Sequence, residues 1–160
     1  MQDMPRTQDA MPGFTIGPFL VDPAGGLVPI EPGTPPRFTF RWRDRLVHAS
    51  LEPGEASARR MRLRTRLARV PSSASPHDAA RRGQSFALLR DLHGALPDTW
   101  RLGLAPDHGV VLEATTPVAA PVTATALISE ATMFLLTLAP YLDVLDEAGL
   151  GAPSGGSANT

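Results

Sequence analysis

The sequence predicts a single α+β domain: an antiparallel β-sheet packed by two helices on one face, in the order β-β-β-α-β-β-α, with an added N-terminal β-hairpin. Three observations predict it. Arg60 to Leu67 alternates arginine with Met61, Leu63, Thr65 and Leu67 at a strict period of two, the pattern of a strand with one face on a core and the other in water. Two stretches, Ser75 to Leu96 and Val122 to Ala148, place apolar residues at helical spacing. Short alternating runs around the first of these are joined by turn residues.

Residues 1–12 are polar and aperiodic and are expected to be disordered. Phe14 to Val21 reads as a strand, Asp22-Pro23-Ala24-Gly25-Gly26 as a turn and Leu27 to Ile30 as the return strand. Pro18 and Pro29 remove ladder donors, which puts this hairpin at a sheet edge or off the sheet. Pro32 to Pro36 is a stiff linker. Arg37 to Trp42 alternates again, with Phe38, Phe40 and Trp42 on one face; core packing is the expected role of these rings, and a stacking platform the alternative. Arg43-Asp44-Arg45 makes a tight reversal, and Leu46 to Leu51 runs back towards the arginine strand. At Ala68-Arg69 the alternation shifts, which predicts a bulge or the strand's end.

The first helix starts at Ser75, an N-cap followed by Pro76 and by Asp78 in the first turn; Gly94 and Pro97 are expected to end it. Trp100, Leu102 and Leu104 alternate into the turn Ala105 to Gly109, and Val110 to Ala114 completes a hairpin. In the last helix Leu127, Ala131, Phe134, Leu138, Leu142 and Leu145 form one apolar stripe, and Pro140 is expected to kink or break it near Leu136. The single domain thus runs from 13 to 148, with the hairpin and Pro-rich linker over 13–36 and the core over 37–148, and 149–160 reads as a disordered tail.

Composition bounds the function. With no cysteine, disulfides and thiolate metal sites are excluded. No signal peptide is read in the first residues, and Ala131 to Leu142 falls short of the ~20 apolar residues that span a bilayer, so the expected setting is soluble and cytoplasmic. All 15 basic residues are arginine, a bias that accompanies the richness in Ala, Pro and Gly of GC-rich, bacterial coding. Arg37 to Arg69 is basic, and the chain beyond Arg101 holds acids alone.

The histidines His48, His77, His93 and His108 form no metal or catalytic spacing, and no nucleophile elbow, phosphate loop or dinucleotide glycine pattern occurs. Neither an enzyme nor a cofactor is expected; a site built from His48, His93 or Glu113 is the reading that the sequence neither supports nor forbids. The candidate binding surface is Arg60, Arg62, Arg64 and Arg66 with Arg41 and Arg43. Four guanidinium groups on one strand face repel one another unless anions answer them. The answer is either acids of this chain, Glu52, Glu55 or those of the last helix, or a partner. A protein or peptide partner and a homodimer are expected, with nucleic acid as the alternative. Against nucleic acid stands a pI of 6.4, where such domains more often lie above about 9.

The strand and helix order from Arg37 onward, Leu88-Leu89 on the first helix, the hairpin Trp100 to Leu112 and the final helix with Tyr141-Leu142 together resemble the type III secretion chaperone (Tir chaperone, CesT-like) fold. The resemblance covers about Phe38 to Glu147 and rests on hydrophobic pattern. It implies a small cytoplasmic α+β homodimer that holds an effector segment extended, without a cofactor, with peptide contacts near Phe38, Phe40 and Leu63. Two features depart from it: this chain opens with a Pro-rich hairpin instead of a helix, and its sheet is lined with arginine.

Overall fold

The computed structural model describes residues 14–55 and 58–151. It is α+β, with two antiparallel sheets and two helices. The first sheet is small: β1 (Thr15–Ile16), β2 (Phe19–Val21) and β3 (Leu27–Pro29) lie in sequence order. The second contains β4 (Arg37–Trp42), β5 (Arg45–Pro53), β6 (Arg59–Arg69), β7 (Trp100–Leu104) and β8 (Gly109–Val118) in the order β4-β5-β6-β8-β7. Helix α1 (Pro76–Ala95) joins β6 to β7, and α2 (Ala124–Glu147) follows β8.

One face of the large sheet makes the core. Val47, Ala49 and Leu51 of β5, Met61, Leu63 and Leu67 of β6, and Val110, Leu112 and Ala114 of β8 are all buried. Phe134, Leu138, Leu142 and Leu145 of α2 pack on them, and Leu88, Leu89, Leu92 and Leu96 of α1 join the same cluster. Leu63, Leu112, Leu138 and Leu142 are at most 1% exposed, so each contributes about 1.5–3 kcal/mol by leaving water. Trp100 bridges the layers: its ring lies 5.1 Å from Phe134 and 6.3 Å from Tyr141, whose hydroxyl donates to the carbonyl of Ala95 at 2.7 Å.

Several expectations change in detail. Phe14 to Val21 is split into two strands by a turn at Gly17, whose φ of 54° suits glycine, so the N-terminal hairpin is a three-stranded sheet apart from the main one. It docks through the main-chain bond from Leu27 N–H to Val122 O and the edge contact of Phe19 with Phe38. Helix α1 begins as expected, with the Ser75 hydroxyl accepting from Asp78 N–H, but it runs past Gly94 and caps at Leu96. Leu96 precedes Pro97 and is therefore pushed into the extended region, where its ψ is 152°.

Helix α2 does not break at Pro140; it continues through it for 24 residues. Pro140 and Leu136 both lie on the exposed side, where water can solvate the Leu136 carbonyl that proline leaves without its helical donor. By length and composition α2 can cross a bilayer, which the shorter apolar run did not suggest, but five of its side chains are buried in the core. Its end is a Schellman motif. Gly149, with φ 71°, donates to Asp146 O, and Leu150 donates to Leu145 O. Leu150 is buried against that turn, so the ordered domain extends past 148. The expectations for 1–12 and 152–160 lie outside the described residues.

Candidate binding face

The helices cover one face of the large sheet; among the described residues nothing covers the other. Register follows from the ladders, because directly paired residues share a face. On β6, the burial of Met61, Leu63, Thr65 and Leu67 turns Arg60, Arg62, Arg64 and Arg66 outward. Leu67 and Ala68 are both buried at a register shift between Arg66 and Ala68, the bulge that ends the alternation. On β4, Arg37, Thr39 and Arg41 face the same way, and on β5 so do Leu46, His48, Ser50 and Glu52. Glu113 of β8 and Arg101 of β7 complete the surface.

This face is hollow, with a volume of about 980 Å³ lined mainly by β4, β5 and β6. Its floor is β5 and its walls are the arginines of the two flanking strands. Strands lie about 4.8 Å apart, so the walls stand roughly 10 Å from one another.

Three acids answer the arginines in part. Arg62 lies 3.3 Å from Glu52 and 3.7 Å from Glu113, and Arg66 pairs with Asp107 in the β7–β8 turn. The Arg66 side-chain hydrogen bond, and then the Gly109 backbone N–H, hold the Asp107 carboxyl below its ordinary 3.8. Arg37, Arg41, Arg60, Arg64 and Arg101 have no carboxylate at ion-pair distance among the described residues. Acids of α2 do not reach this face; Asp143 and Asp146 bind Arg43 and Arg45.

The sequence-expected surface is therefore assembled, with one correction. Arg60, Arg62, Arg64, Arg66 and Arg41 share the open face, but Arg43 does not. Arg43 and Asp44 have φ of 46° and 58° and form a two-residue turn of the type that matches strand twist. That turn sends Arg43 to Asp143 of α2 at 2.6 Å and over the Trp42 ring. Such positive φ is costly in a non-glycine residue, and these contacts offset it. Arg45, 5% exposed, points to the helix side, where it donates to Leu67 O, Arg43 O and Asp146.

Phe38, Phe40 and Trp42 pack on the core side, so the rings offer no stacking platform to the open face. Leu63, a contact implied by the chaperone resemblance, is 1% exposed beneath the helices and out of a partner's reach. Glu113 is on the open face, whereas Glu130 accepts from Thr116 at 2.7 Å on the helix side. His48 stands in the hollow, opposite Arg64, whereas His93 is on α1, so His48, His93 and Glu113 do not converge. No group of three or more His, Asp or Glu able to hold a metal occurs among the described residues. Sequence reasoning missed Arg37 and Arg101 as members of the face; the alternation of Arg37 with Phe38 and of Arg101 with Trp100 was the available signal.

No family model, no curated protein and no solved structure matches this chain.

Proposed function

We propose that the chain is a non-enzymatic binding module, adaptor or chaperone-like, that holds an acidic polypeptide segment in extended form on its open arginine face. One observation carries this reading: on the open sheet face Arg37, Arg41, Arg60 and Arg64 have no acid at ion-pair distance among the described residues, and Arg37, Arg41 and Arg64 line its hollow. Guanidinium groups recognise carboxylates through two parallel hydrogen bonds, and a walled groove adds shape to charge.

The alternative is nucleic acid bound to the same arginines. The core-side rings weigh against it, since binding of single strands draws on aromatic stacking as well as charge. Fluorescence anisotropy with labelled poly-L-glutamate and with labelled single-stranded DNA of similar length separates the two. The proposal expects poly-L-glutamate to bind and Arg64→Glu to abolish binding at unchanged circular dichroism. Tighter binding of DNA, lost in the same variant, would overturn it.

A homodimer belongs to the same reading. Ile128, Met133 and Leu136 on the outer side of α2 are 66%, 60% and 62% exposed, an apolar stripe that a second copy can bury. Light scattering should give twice the monomer mass, falling to the monomer in Leu136→Glu; a wild-type monomer at tens of micromolar contradicts it.

A further inference from the structure

The unpaired arginines are ordered, and we infer from their order that the bound segment carries its acids on alternate residues and lies along β5. This inference rests on the acidic-polypeptide reading and gives it a sequence pattern. Each outward residue of β5 has one directly opposite arginine outside any ion pair among the described residues. Leu46 faces Arg41, His48 faces Arg64, Ser50 faces Arg37 and Glu52 faces Arg60. The unpaired cations therefore come alternately from β4 and β6, one for every two residues of floor. The other arginine opposite Ser50 is Arg62, already held by Glu52 and Glu113.

Two residues of strand advance about 6.8 Å. An extended peptide laid over β5 brings every second side chain down at that same step, and each arrives beside one unpaired guanidinium. A helix does not fit this frame. Its i and i+4 positions advance about 6.0 Å, so it drifts out of register along the groove, and its 10–12 Å diameter fills the roughly 10 Å between walls before any arginine is accommodated.

The test uses two labelled peptides of identical composition, one alternating glutamate with threonine four times and one with four glutamates followed by four threonines. Anisotropy at about 50 mM salt, where the Debye length exceeds 10 Å, reports their affinities for the full chain. The alternating peptide should bind at least about fivefold more tightly, the equivalent of one good exposed ion pair. Arg37→Gln and Arg64→Gln should each remove most of that preference, and Arg62→Gln should leave it. Equal affinities for both peptides, with poly-L-glutamate still bound, overturn the pattern and leave the acidic-polypeptide reading standing. If neither peptide nor poly-L-glutamate binds, both fail. Self-association lost in Arg64→Gln would make a second copy the occupant and also overturn the inference.

Discussion

Glu113 stands directly opposite Arg64 across the β6–β8 ladder, yet its carboxylate lies 3.7 Å from the guanidinium of Arg62, one diagonal step away. Arg62 collects two acids while Arg64, at the centre of the face, has none among the described residues. The face is thus divided into arginines that its own acids quiet and arginines left for something else.

Removing that internal acid should improve binding. Glu113→Gln keeps the side-chain shape, releases one partner of Arg62 and removes a negative charge from the hollow. Affinity for poly-L-glutamate should rise by about two- to fivefold, in line with the worth of an exposed pair, and the gain should shrink at high salt. An unchanged or weaker affinity would place the binding surface elsewhere.

Arg45 is expected to matter for stability and not for binding. Its buried guanidinium donates to two main-chain carbonyls, and Asp146, its acid partner, remains 47% exposed. Arg45→Met leaves those carbonyls without the donor and should cost about 1–3 kcal/mol in urea unfolding. Poly-L-glutamate binding should be unaltered below the transition. A loss below about 0.5 kcal/mol would mean that water replaces the guanidinium fully.

The Arg66–Asp107 pair supplies a pH signature. Because the folded carboxyl is held below 3.8, its contribution to stability is present above that pH and is lost as pH falls through the lowered value. The Asp107 carboxyl carbon, followed by NMR, should titrate below 3.8 in the wild type and return towards it in Arg66→Ala. Titration unchanged by that substitution would show that the pair does not persist in solution.

Much of this architecture was legible in the sequence, for reasons that differ by element. The arginine strand alternated without fault because one face is wholly core and the other wholly solvent, so β6 and its outward arginines could be read directly. Ser75, Pro76 and Asp78 marked the start of α1 because helix N-termini need local acceptors. The end of α1 was harder, since Pro97 acts on Leu96 and not on Gly94. Pro140 misled because a proline breaks a helix only where packing does not hold it, and Phe134, Leu138 and Leu142 hold this one on both sides of it. Leu150 was lost among glycines, its role depending on the left-handed Gly149 before it.

The candidate site was legible only as composition. That Arg62 and Arg66 are paired, that Arg43 turns to α2, and that Arg37 faces Ser50 depend on strand register and on packing between elements, which the pattern along one strand does not contain. The short turn at Arg43-Asp44 fixes the register of β4 on β5, and with it which arginines share the groove.

The central claim is that the open sheet face, through its unpaired arginines, is the binding surface. The most direct measurement is an NMR titration of the arginine Nε–Hε resonances with the alternating glutamate–threonine peptide. Arg37, Arg41, Arg60 and Arg64 should shift most, Arg62 and Arg66 less, and Arg43 and Arg45 hardly at all. Shifts centred on Arg43 and Arg45, or confined to α1, would contradict the account and move the function to the helix side of the sheet.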